Sequence, residues 1–192
     1  MRFPGSRNPK HYFPVRSKSA VAAPAADTSW TVCGVDQVLV DAEVRVSEAL
    51  LAAAGIEPGE SVVASDAQFR ELSERIEADG LAWRFAPGGT VANALNNYTW
   101  LSGERSVLFG AIQRDIRFGD AAFEFVAQTP PAMDLSYLKA VEGRVGIALT
   151  LISPSGERSF VVGPGVANAL EPDDIPESVV HRSSALVASL YA

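Results

Sequence analysis

The stretch Ala86-Pro87-Gly88-Gly89-Thr90-Val91-Ala92-Asn93 decides how the rest of the chain is read. Pro87 and the two glycines interrupt a strand-like run, Leu81 to Phe85. Beyond them Val91 to Gly103 reads as a helix, with Val91, Ala94, Leu95, Tyr98 and Leu101 at spacings of three and four. Thr90 is the expected N-cap and Gly103 the expected C-terminal stop. Paired glycines before a helix let backbone amides approach a ligand with no Cβ in the way. Asn93, in the first turn, offers that ligand a donor and an acceptor, which suits a hydroxyl-rich molecule such as a sugar. The plainer reading is a tight turn into a core helix, and the stretch matches neither the dinucleotide fingerprint nor the Walker loop.

Composition narrows the options. In 192 residues, 47% are hydrophobic, enough for a real core. A net charge of −7 argues against nucleic acid or an anionic membrane surface as partner. Cys33 is the only cysteine and lies in an apolar run, which suits a buried thiol and excludes an internal disulfide or a cysteine metal site. His11 and His181 stand far apart without ligand-spaced partners, so both read as structural and no metal site is expected. No apolar run reaches the roughly 18 residues that span a bilayer, and the expected location is cytoplasmic.

Outward from the glycine pair, residues 1–29 read as an arm and linker, and 30–192 as the folded body. Trp30 to Asp41 suggests a strand, a break and a second extended segment. Asp36 and Asp41 within it are turn residues or ligand-facing carboxylates, since strands disfavour Asp otherwise. Val46 to Ala54 reads as a short helix, and Ser65 with Gln68 as a capping box opening another with Phe69, Leu72 and Ile76 inward. Arg105 to Gly110 is a strand, 111–119 a loop, and Asp120 to Gln128 a helix with Phe123 and Val126 inward. Asp134 caps a shorter helix through Val141. Val145–Ile152 and Arg158–Val162 form a hairpin, and a short helix begins at Pro176. The run Ala185 to Leu190 has the apolar character of an interior parallel strand. Strands alternating with helices imply an α/β fold with a mostly parallel sheet. An interior strand so near the end implies a chain cut before its C-terminal half, with exposed apolar surface.

Taken in order, Val40-Asp41, Gly88-Gly89 with Asn93, Gly110…Asp115…Gly119, Gly156-Glu157-Arg158 and Gly165…Asn168-Ala169-Leu170 resemble the ribokinase-like (PfkB) family of sugar and nucleoside kinases. Phe3-Pro4-Gly5, Lys10 to Val15 and Gly34-Val35-Asp36-Gln37 look like its inosine–guanosine kinase branch. The resemblance implies a ribokinase-like sheet flanked by helices, with a small β-lid over about 145–162. It implies that Asp41 binds ribose hydroxyls and that Gly88, Gly89 and Asn93 hold the sugar, with Asp36, Gln37 and Thr90 bordering the pocket. It further implies ATP and Mg2+, a purine nucleoside acceptor and a homodimer through the lid strands. Here Val91 replaces the family's small residue, no carboxylate stands near Tyr191, and the family's Gly-Ala-Gly-Asp catalytic motif does not occur. The expectation is therefore a nucleoside-binding half, inactive alone. A non-catalytic nucleoside- or sugar-binding module, or a kinase of another sugar, is the alternative.

Overall fold

The computed structural model describes residues 29–189, so the arm expected over 1–29 lies, save Ser29, outside the described residues, as does His11. Strands β1 (Trp30–Val35) and β2 (Leu39–Arg45) come first, broken at Asp36 as expected. Helix α1 (Glu48–Ala53) follows, with the Ser47 hydroxyl accepting from the Leu50 amide. After β3 (Ser61–Val63), helix α2 (Asp66–Ala78) opens on the expected capping box, Ser65 and Gln68 each satisfying the other's backbone N–H. Its inward stripe is Phe69, Leu72 and Ile76.

Strand β4 (Arg84–Pro87) includes Pro87 and starts three residues later than the strand-like run suggested. Among the described residues it is an edge strand paired only with β2, so the missing proline N–H costs no ladder bond. Helix α3 (Thr90–Ser102) follows and ends on Gly103 in the left-handed region at φ 72°. Its buried face is Val91, Ala92, Leu95 and Thr99, while Leu101 is 89% exposed. The apolar stripe is thus rotated from the one the spacing suggested. Thr99 joins the core because its hydroxyl meets that of Ser106 at 2.6 Å, which removes the penalty of burying either alone.

Strand β5 (Ser106–Phe109) is wholly buried. The expected loop over 111–119 begins instead with β6 (Ala111–Gln113). Helix α4 (Ala121–Gln128) is capped by Asp120, and Phe125 with Val126 is buried, Phe123 only partly so. No helix runs from Asp134. That residue lies in β7 (Met133–Asp134), and β8 (Lys139–Val141) pairs with β6. The Asp134 carboxylate accepts from Trp30 Nε1 at 3.2 Å through Oδ2 and from the Ser136 amide at 2.9 Å through Oδ1, so the local turn bond forms while a distant indole ties the other oxygen to β1. The hairpin β9 (Gly146–Ile152) and β10 (Arg158–Gly163) forms as expected. Two 3-10 turns (Gly165–Ala169 and Pro172–Asp174), helix α5 (Glu177–Val180) and strand β11 (Ser183–Ala188) complete the order.

Two sheets dominate. One is parallel, in the order β11-β1-β5-β7, and α3 packs on β1 and β5. The other is mixed, in the order β3-β10-β9-β2-β4, so the hairpin joins β2 through its strand β9, which runs parallel to β2, rather than forming a sheet of its own. The main core runs from Val40, Val44 and Leu149 in this second sheet to Leu95 and Leu108 at the first. Cys33 is buried as expected, and its thiol approaches the Ala185 carbonyl at 3.5 Å. His181 is a surface residue beside Glu177. Among the described residues β11 lies at the edge of the parallel sheet beside β1, and Leu186 at 54% and Val187 at 41% exposure are the exposed apolar surface its composition implied.

Candidate functional site

The turn between β4 and α3 is built on close approach. A Cβ on Gly88 would lie 2.7 Å from Asp41 Oδ1 and 2.9 Å from the Asp41 backbone nitrogen. A Cβ on Gly89 would lie 2.7 Å from Asp36 Oδ2 and 3.0 Å from the Gln37 carbonyl oxygen. Gly89 also sits at φ 87°, where side chains are strained. Each glycine therefore faces one of the two carboxylates, and neither could be another residue without moving backbone or acid.

Asp36 explains how α3 begins. Its carboxylate is 2% exposed, and Oδ2 accepts from the Val91 amide at 2.8 Å and the Ala92 amide at 2.9 Å. Gly89 is the N-cap and supplies no side chain, while Thr90 is exposed and makes no capping bond. The expected Thr90 cap is thus replaced by an acid from the end of β1, anchored through its own amide to the Phe109 carbonyl at 3.1 Å. Burial holds the Asp36 carboxyl above its ordinary range, against the lowering by the Ala92, Val91 and Gln37 amides.

Asp41 is different. It stands on β2 opposite Ala86 of β4, and its side chain is solvent-accessible. Partial desolvation against the turn raises its pKa, and among the described residues no hydrogen bond or ion pair offsets that. An acid with spare acceptor capacity can take hydroxyl donors. Asn93 sits one helical turn beyond Gly89, whose carbonyl accepts the Asn93 amide at 3.0 Å. Its carboxamide is half-buried and equally without a protein partner among the described residues.

The structure thus gathers Asp36, Gln37, Asp41, Gly88 and Gly89 around one turn, with Thr90 and Asn93 at the helix start that issues from it. Asn168, a member of one of the resemblance motifs, has no site role legible in the sequence. In the first 3-10 turn, its Oδ1 accepts from Gln37 Nε2 at 2.6 Å. Its motif segment was visible, but nothing local signalled a partner 131 residues away. Lys139 fixes that turn, donating to the Ala169 carbonyl and to Asp174, both at 2.8 Å. A separate groove of about 310 Å³ lies among α1, β3 and α2, lined by Ile56, Val62, Leu72 and Arg75 among others, and none of the candidate residues borders it. No described helix is long and apolar enough to cross a membrane.

No family model matches the chain. Guanosine-inosine kinases of Escherichia coli, from strain K12 and from O157:H7, are each 38% identical to it over 196 residues. These alignments take in 100% of this chain and 45% of theirs, so the chain spans less than half the length of those relatives. Among solved structures, the Anopheles gambiae adenosine kinase complexed with P1,P4-di(adenosine-5) tetraphosphate superposes with a TM-score of 0.68 at 18% identity. It covers 84% of this chain and 50% of that one. The Sinorhizobium meliloti adenosine kinase gives 0.62 at 21%, over 84% and 47%. These last two carry the fold alone. With the fold, the glycine turn and the full-chain alignment in agreement, the chain has a ribokinase-like (PfkB) fold and is related along its whole length to bacterial guanosine-inosine kinase.

Proposed function

We propose that residues 30–192 form the nucleoside-holding part of a kinase that phosphorylates the 5′-hydroxyl of inosine or guanosine with ATP. One observation carries the reading: Gly88 lies flush against Asp41, so an unpartnered carboxylate stands beside bare backbone. A carboxylate can accept from both hydroxyls of a vicinal diol, and a carboxamide such as Asn93 can donate to and accept from the same ring. Asp36 holds the α3 amides and with them the position of Asn93. The β9–β10 hairpin shares its sheet with Asp41, which suits a cover that excludes water from the acceptor.

ATP with Mg2+ would supply the phosphoryl group. Among the described residues no three His, Cys, Asp or Glu side chains gather to hold a metal ion, and the sequence has no Gly-Ala-Gly-Asp. The residues here do not fit that cofactor. The share of this chain is to bind and orient the acceptor, and by itself it transfers no phosphate. A cytoplasmic location belongs to the same proposal; a homodimer through the lid strands does not, because β10 is already paired with β3 and β9 with β2.

Calorimetry with inosine, ribose and fructose on the 192-residue chain and its Asp41→Asn variant tests the reading. Inosine binds the parent chain and loses at least tenfold in the variant, on the order expected when one charge-assisted contact is removed. Tighter binding of free fructose than inosine, or equal inosine binding by both proteins, overturns it.

A further inference from the structure

Gln37 and Asn168 each end in a carboxamide, with one donor group and one acceptor group. Their mutual bond at 2.6 Å uses the Gln37 NH2 and the Asn168 oxygen. Left over are Gln37 Oε1, an acceptor, and Asn168 Nδ2, a donor, on neighbouring side chains. Neither has another partner among the described residues. Asn168 is exposed and Gln37 half-buried, so the leftover groups are open to a ligand. Both carriers are fixed: Gln37 adjoins the buried Asp36, and Lys139 holds the carbonyl next to Asn168. The pair also adjoins the sugar turn, since the Gln37 carbonyl oxygen lies 3.0 Å from where a Gly89 Cβ would stand.

We propose that the Gln37–Asn168 pair reads the lactam edge of a 6-oxopurine, Gln37 Oε1 accepting from ring N1–H and Asn168 Nδ2 donating to O6. The inference rests on the nucleoside reading above and adds the residues that choose the base. A 6-aminopurine presents the inverse edge, an N1 acceptor beside an amino donor. It meets the pair only after both amides turn over together. Isosteric acids change one position at a time. Asn168→Asp still accepts from the Gln37 NH2 but turns the donor facing O6 into an acceptor, which suits a 6-amino group. Gln37→Glu keeps the acceptor facing N1–H and charges it, which favours N1–H over an adenine N1, while Asn168 Nδ2 donates to it in place of the lost bond.

Calorimetric titration of the 192-residue chain with inosine, guanosine and adenosine, with circular dichroism to verify that each variant folds, provides the test. The parent chain prefers inosine and guanosine over adenosine by about tenfold or more, as expected for a site whose polar groups the wrong base leaves unpaired. Asn168→Asp shifts that preference toward adenosine by at least about tenfold, and Gln37→Glu moves it the other way. Preferences unchanged in both variants, shifts of opposite sign to these, or an equal loss of all three ligands would overturn the inference. If the parent chain binds the three nucleosides alike, only the base-reading role falls. If it binds none of them and no ribose, the nucleoside reading falls first and takes this inference with it.

Discussion

At the scale of single residues, the site sets packing against charge. An alanine Cβ at position 88 meets the backbone nitrogen of Asp41 at 2.9 Å, and backbone cannot swing aside as a side chain can. Gly88→Ala therefore displaces β2 or β4 locally and weakens inosine binding by at least about tenfold, a cost of roughly 1.4 kcal/mol, measurable by calorimetry. Gly89→Ala adds the strain of φ 87° and lowers stability by about 2 kcal/mol in a denaturant titration. Asp41 makes an opposite kind of statement. Its carboxyl is raised above 3.8 by burial with no compensating bond, so the folded state favours the neutral form. The stability this contributes is fully present below pH 3.8 and is lost as pH rises through the raised value. Asp41→Asn removes that loss, so near neutrality its melting temperature equals or exceeds that of the parent chain. Hydroxyl donors favour the ionised acid instead, so inosine affinity in the parent chain climbs as pH rises above about 4, and in Asp41→Asn it stays flat. A parent affinity that falls over this range would remove Asp41 from the sugar site.

At the scale of elements, the two long helices show why one was legible and the other only half so. Helix α2 carries its instructions within itself: the Ser65–Gln68 box, the Phe69, Leu72 and Ile76 stripe, and Gly80 in the left-handed region at its end. All of that is local, and local chemistry can be read from a sequence. Helix α3 takes its cap from Asp36, 55 residues upstream, and no spacing rule points there. Its inward face departs from the one the spacing predicts for the same reason. A threonine joins a core only when a partner such as Ser106 stands across from it, and that partner belongs to another element. Asp134 repeats the lesson: one of its oxygens serves the distant Trp30 indole, a partner no local spacing shows. The two caps differ in cost. Ser65→Ala removes a surface cap worth about 1 kcal/mol, whereas Asp36→Ala leaves two buried amides without an acceptor and costs about 2 kcal/mol or more. Urea titrations of the two variants distinguish them. Equal losses would mean that solvent reaches the start of α3, which the 2% exposure of Asp36 argues against.

At the scale of the whole molecule, the glycine turn bridges two sheets that also share an apolar core. Asp36 leaves the parallel sheet, Asp41 lies within the mixed one, and Gly88–Gly89 touches both acids before α3 returns to cover β1 and β5. A ligand gripped by this turn is therefore held by both sheets at once. The parallel sheet is finished unequally at its two sides. At one edge β7 is only two residues long, Met133–Asp134, a length that offers little to pair with. At the other, β11 runs six residues from Ser183 to Ala188, every one partly or largely exposed, with Leu186 and Val187 among them. An edge of that length, without a charged residue in Ser-Ser-Ala-Leu-Val-Ala, is a template for another strand. The 192-residue chain therefore self-associates as its concentration rises, and sedimentation velocity detects this as a rising weight-average sedimentation coefficient. Leu186→Lys places a charge on the edge, as natural edge strands do, and returns the chain toward a single slow species. The groove bordered by β3 exposes Val63, which gives the competing expectation. Val63→Lys rather than Leu186→Lys would disperse the chain if association ran through β3, and a parent chain that stays monomeric at every concentration would show that neither edge recruits a strand.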